Sequence, residues 1–205
     1  AFALVSVVLI AVPGPSVLFV IGRSLAMGRR GGLLSVLGNE LGALLLAVAV
    51  ALGVGVIVAQ SIAVFTVIKL LGAAYLVYLG VQAIRHRRIR VDADGADAAA
   101  AELAWKTISQ GFFVGVSNPK TIVFFVAALP QFVDYHARSV PLQMSVLSLV
   151  FITIAFVCDA AWALLAGAAR SWFASSPTRM SRLRATGGGM MIALGGSLAA
   201  TGNKS

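Results

Sequence analysis

Apolar residues fall along the chain in six long blocks, at about 2–22, 33–59, 62–84, 108–133, 141–168 and 186–201. None alternates polar with apolar over ten-residue units, the mark of a transmembrane barrel strand. Continuous apolar runs of about 20 residues match a helix crossing a bilayer. The pattern predicts an all-α integral membrane protein with six transmembrane helices. No basic residue precedes the first block and no cleavage-type segment follows it, so it reads as a span, not a signal peptide.

Composition excludes the soluble alternative. Hydrophobic residues make up 60% of the chain and charged residues 11%, against about 25% charged in soluble domains. A 205-residue globule has too little interior to bury so much apolar surface.

The net charge of +9 would suggest nucleic acid in a soluble protein, but its distribution argues otherwise. Twelve of the sixteen Lys and Arg residues lie in three connections, those after spans 1, 3 and 5. These are Arg23, Arg29 and Arg30; Arg85, Arg87, Arg88, Arg90 and Lys106; and Arg170, Arg179, Arg182 and Arg184. The other two connections hold only Arg138. By the positive-inside rule the three basic loops are cytoplasmic and both termini face outward. The run Arg85–Arg90 is then a topology anchor, with no nucleic-acid partner implied.

Cys158 is the single cysteine, which excludes an internal disulfide and a multi-cysteine metal site. His86 and His136 stand alone, so neither a metal nor a cofactor is expected. The Ala- and Asp-rich stretch 91–102 reads as a flexible cytoplasmic linker. It divides the chain into a first three-helix repeat (1–90), a linker (91–104) and a second three-helix repeat (105–205).

Three spans is an odd number, so a duplicated half must insert upside down, the inverted-repeat plan of many secondary transporters. Two echoes support it. Val12-Pro13-Gly14-Pro15-Ser16 aligns without gaps with Val116-Ser117-Asn118-Pro119-Lys120, and Gly72–Gly80 aligns with Gly187–Gly195. Lys69 and Arg184 each stand three residues before the second pair. Pro13, Pro15 and Pro119 lack the N–H that would bond the carbonyls of Leu9, Ala11 and Gly115. Each proline also disfavours helical dihedrals at the residue before it. Freed backbone groups at membrane depth must face protein or a wet cavity. A proline kink used for helix packing explains either break alone; the matched pair points to a midplane site.

Four ionisable residues fall well inside the spans: Glu40, Lys69, Lys120 and Asp159. An intramembrane charge costs at least about 2.5–3.5 kcal/mol at a helix centre, so each is a functional candidate. Lys120 follows a proline where a helix would start, and a bound carboxylate would relieve that crowding of positive charge. Glu40 and Asp159 could load and release a proton near neutral pH. A structural ion pair with Lys69 or Lys120 is the alternative for either. Gly38 with Gly42, and Gly111 with Gly115, read as small-residue faces for close helix packing. Gly187–Gly189 mark the entry to the last span. Trp105, Trp162 and Trp172 suit interfacial belts, while Tyr75 and Tyr78 lie deeper in span 3.

The blocks Pro13–Ser16, Gly28–Gly42, Ile68–Gly80 and Gly111–Val133 resemble the LysE/RhtB amino-acid exporter family, in its order and spacing and across nearly the whole chain. The resemblance implies a six-helix exporter of amino acids or close derivatives in the bacterial inner membrane, driven by proton antiport. The family's PGP block falls on Pro13, Gly14 and Pro15, and its NPK block on Asn118, Pro119 and Lys120. Its LPQF block falls on Leu129–Phe132, and its fifth-helix acid on Asp159. Ser16 stands where the family often has Asn, and Glu40 is not an acid expected in every member.

These readings place the substrate on Pro13, Gly14, Pro15, Ser16, Asn118, Pro119 and Lys120, with Asp159 and Glu40 carrying protons. The substrate carboxylate would meet Lys120, and the freed carbonyls near residues 9–11 and 115 would take the ammonium. The expected partners are an amino acid, protons and the lipid bilayer, with a homodimer left open. The rival is an inorganic-cation exporter of the same superfamily, which would want more Asp, Glu, Cys or His converging in the membrane. A thiol-relay carrier needs paired cysteines, and no enzyme-like nucleophile and base are visible.

Overall fold

The computed structural model describes residues 1–11, 13–53, 62–85, 96–134 and 139–173, together with positions 182, 185–186, 189, 191–193, 195–196 and 199–200. Val12, residues 86–90, His136, Arg184, Gly187, Gly188 and the side chain of Lys69 lie outside the described residues.

The described elements are all helical, and no strand occurs among the described residues. They are α1 (Phe2–Ala11), α2 (Pro15–Ala51), α3 (Ile62–Arg85), α4 (Ala96–Val116), α5 (Pro119–Val123) and α6 (Val140–Phe173). From α5 the chain continues through a π turn, Phe124–Ala128, and a 3-10 turn, Leu129–Phe132. Pro15–Ala51 and Val140–Arg170 are long and apolar enough to cross a bilayer. Glu102–Val116 and Pro119–Phe132 together make a third such length, bent by 45° at the break.

Two boundaries differ from the sequence pattern. The basic stretch after the first block is a tight elbow, not an extended loop: α2 consists of two helical arms that meet at Gly28, which alone leaves helical dihedrals, at φ 81° and ψ −174°. A single glycine suffices for that elbow because positive φ carries no Cβ penalty there. Arg23 is thereby a helical residue rather than a loop cation. Helix α4 begins at Ala96, inside the stretch that reads as linker in the sequence. Its alanine run is the strongest intrinsic helix former.

Both long helices turn small and polar residues inward and large aliphatic ones outward. On α6, Ser148, Phe151, Ala155, Asp159 and Ala163 form one buried stripe at helical spacing, while Leu149, Val157 and Leu165 are more than half exposed. On α2, Ser35, Asn39, Glu40 and Ala43 are buried, whereas Leu37, Leu41 and Leu45 are exposed. A water-soluble helix would show the reverse polarity; an apolar exterior over a polar interior fits a lipid solvent.

The second arm of α2 and α4 meet through reciprocal glycines. A Cβ on Gly38 would collide with the Ile108 carbonyl, and one on Gly111 with the Ser35 carbonyl. Gly42 and Gly115 face Phe112 and Asn39 backbone in the same way. Gly38→Leu should therefore destabilise the protein: overpacking costs about 1–3 kcal/mol and exceeds the gain of about 0.8–1.0 kcal/mol in helix propensity. Thermal unfolding in detergent measures this, with exposed Leu41→Ala as the reference. Equal midpoints for the two variants would mean that the helices do not need this close approach.

Candidate functional site

Both helix breaks have the same local design. Gly14, extended at φ −100° and ψ −172°, precedes Pro15, which opens α2. Asn118, at φ −72° and ψ 107°, precedes Pro119, which opens α5. Proline suits the first helical position because its missing N–H would have no partner there. Asn118 closes the second break as an N-cap: its Oδ1 accepts from the Lys120 backbone N–H at 3.1 Å. Its Nδ2 donates to Ser16 Oγ at 3.1 Å, which ties the two breaks together across 102 residues. Asn118→Ala removes both bonds and should lower stability by about 1–2 kcal/mol. Chemical denaturation in detergent reads this loss, and Ser16→Ala should lose less because the cap survives.

The Lys120 side chain lies over the first break. A Cβ at Gly14 would come within 3.0 Å of Lys120 Cδ and 3.6 Å of Nζ, so the glycine leaves room for the lysine stem. The ammonium is in electrostatic reach of Asp159 on α6.

These groups converge on a cavity of about 30 Å³ lined by Ser16, Asn39, Glu40, Asn118, Lys120 and Asp159, with Ile10 and Phe151 among its apolar walls. By volume it has room for about two water molecules, far below the roughly 300–1,000 Å³ of ligand pockets. The site is closed in this conformation. Five of the nine positions singled out in the sequence, Ser16, Glu40, Asn118, Lys120 and Asp159, line it. Pro13, Gly14 and Pro15 shape the break beside it. Pro119 lines, with Lys120, a groove of about 460 Å³ on the neighbouring face, walled by Leu9, Val123, Phe124 and Gln131.

Asn39 is the residue the sequence reading missed. Its Nδ2 donates to Glu40 Oε1 at 3.0 Å and to Asp159 Oδ2 at 3.5 Å, so one amide bridges two buried carboxyl groups. Glu40 and Asp159 also act on one another electrostatically. Asn39 Oδ1 and Glu40 Oε2 are buried without a hydrogen-bond partner among the described residues. A polar amide inside an apolar block, beside an acid, is the signal that points to it.

One expectation is corrected. The Gly115 carbonyl is not left without a partner by Pro119, because it accepts from the Asn118 N–H at 3.2 Å in a tighter turn. Tyr75 is half-buried against the core, and Tyr78 lies on the exposed face, accepting from Gln82 Nε2 at 2.8 Å. Among the described residues no group of three or more His, Cys, Asp or Glu could hold a metal ion.

No solved structure matches the chain. It is 36% identical over 201 residues to an uncharacterized membrane protein of Vibrio cholerae, covering 97% of this chain and 95% of that one. It is 29% identical over 199 residues to the homoserine/homoserine lactone efflux protein of Salmonella typhimurium, at 97% and 94% coverage. It is 28% identical over 178 residues to the leucine efflux protein of Klebsiella pneumoniae, at 87% and 82% coverage. The family model described as LysE type translocator matches residues 7–202. The chain belongs to that family, a family of efflux proteins rather than enzymes.

Proposed function

We propose that this protein exports a neutral amino acid, or a close derivative, from the cytoplasm in exchange for protons. The observation that carries the reading is the single cavity where Lys120 meets Asn39, Glu40 and Asp159. It offers one cation and two acids, complementary to a zwitterion. Lys120 takes the substrate carboxylate. The substrate ammonium goes to Asp159 and Glu40, which line the cavity where Gly115 does not, with Asn39 Oδ1 as a further acceptor.

That placement gives the coupling its sign. A proton and an ammonium compete for the same carboxylate, so loading one expels the other, as antiport requires. Had the acids served only to hold Lys120, protonation would free Lys120 for the substrate, and proton and substrate would travel together. The proposed frame is six spans in two inverted three-helix repeats, with basic loops in the cytoplasm, both termini outside and the bacterial inner membrane as its location. The matched proline breaks support the repeat.

The test is efflux of labelled L-leucine and L-homoserine from proteoliposomes under an imposed pH gradient. Export should accelerate when the opposite side is acidified and should collapse with a protonophore. Movement of a monovalent or divalent cation with no amino acid would overturn the reading in favour of a cation exporter.

A further inference from the structure

Arg23 is not used by the cavity, and its surroundings are unlike those of a topology anchor. It sits seven residues after Ser16 on α2, which is two turns, about 10 Å, along the same helix face. Its Nη2 donates to Thr107 Oγ1 on α4 at a long 3.4 Å, and its guanidinium carbon stands 5.9 Å from the centre of the Phe19 ring. Its electrostatic neighbour is the Tyr75 phenol. No carboxylate partners it among the described residues, and its Nε is buried without a hydrogen bond. Gln110 stands three residues beyond Thr107 on the same face of α4. It is 7% exposed, and its Oε1 is likewise buried without a partner. Leaving the Arg23 Nε–H and the Gln110 Oε1 buried and unsatisfied, on residues that Thr107 links across a single turn of α4, is costly, and a ligand that bonds both would relieve it.

We propose that Arg23, Thr107 and Gln110 form a second station, for a carboxylate-bearing solute, two helical turns from the cavity on the side that carries Arg29 and Arg30. The donor set has the polarity of an α-amino acid: the guanidinium for the carboxylate, the Gln110 carbonyl oxygen for the ammonium. The Ser16–Asn118 bond marks the upper site and the Arg23–Thr107 bond the lower one, on the same stretch of α2. This station rests on the export reading only for its role, a waiting position before the closed cavity.

The direct test is nitrogen-15 NMR of the full chain in phosphatidylcholine nanodiscs, following the Arg23 Nε–H resonance, assigned by its loss in Arg23→Gln. L-leucine and acetate should shift it saturably and L-leucinamide should not. The shift should survive in Lys120→Ala. No shift with either carboxylate would overturn the proposal, as would a shift lost in Lys120→Ala, which would be relayed from the cavity. A shift appearing only with added phosphatidylglycerol would assign the site to a lipid phosphate and also overturn it. In proteoliposomes, Arg23→Gln should raise KM for L-leucine at least about ten-fold from the Arg29–Arg30 side and less than about two-fold from the other. Arg23→Lys should recover part of the loss. Equal effects on both sides would overturn the station. If the wild type moves no amino acid while the resonance still saturates, the export reading fails and the station stands.

Discussion

Lys120→Ala should reduce amino-acid export at least about 100-fold in kcat/KM while leaving the protein folded. A charge-assisted hydrogen bond is worth about 1.5–3 kcal/mol. A substrate carboxylate in a site closed to water depends on its only cation for more than that, and about 2.7 kcal/mol already gives 100-fold. The side chain also covers Gly14 and lines both the cavity and the groove beside Pro119. Its loss therefore removes lining from both spaces as well as a charge. Lys120→Arg should keep the charge but not the fit, because the guanidinium fork is broader than the ammonium that rests 3.6 Å from a Cβ position at Gly14. Initial efflux rates from proteoliposomes read both variants, with gel-filtration profile and thermal midpoint as the folding controls. Export by Lys120→Ala within two-fold of wild type would remove Lys120 from the substrate site.

The residues that were legible in the sequence are those whose chemistry conflicts with an apolar helix. Pro13, Pro15 and Pro119 break the hydrogen-bond ladder wherever they stand, so both helix interruptions could be placed from sequence. Lys120, Glu40 and Asp159 stand out because a charge in lipid needs a reason. Their convergence was not legible. It depends on the glycine faces of α2 and α4, which bring Asn39 backbone against Gly115, one turn from the second break. A glycine pattern says that helices approach closely without saying which ones. Asn39 was hidden because it is uncharged, although it joins the two acids. Counting positive charges per connection is one-dimensional and does not show that Arg23 lies within a helical arm, five residues before the elbow at Gly28. The released carbonyl at Gly115 was a correct inference about α-helical bonding that failed locally. The chain tightens there and supplies the Asn118 N–H instead.

The proposed exchange also assigns the two acids different weights, and Asp159→Asn is the sharper test. Asp159 faces both Lys120 and Glu40 and shares the Asn39 amide with Glu40. On the proposed reading both acids receive the substrate ammonium, and Asp159, which faces Lys120 as well as Glu40, stands nearest the bound zwitterion, so its proton is the one expected to compete most directly. A neutral amide at 159 keeps the size of the carboxylic acid but cannot release a proton. Uphill export driven by a pH gradient should then fall at least about 100-fold, the loss of a charged partner in low dielectric. Exchange of labelled for unlabelled amino acid at saturating concentration should survive within about ten-fold, because Lys120 still holds the carboxylate. The pH dependence follows by the same competition. In the wild type the half-saturating substrate concentration should rise on acidification, as protons take the carboxylate from the ammonium, and in Asp159→Asn that rise should disappear. Glu40→Gln should retain the pH dependence in weaker form, since its Oε1 can still accept from Asn39. If Asp159→Asn accumulates substrate against a gradient as wild type does, Asp159 is a structural partner of Lys120, and proton coupling lies elsewhere in the chain.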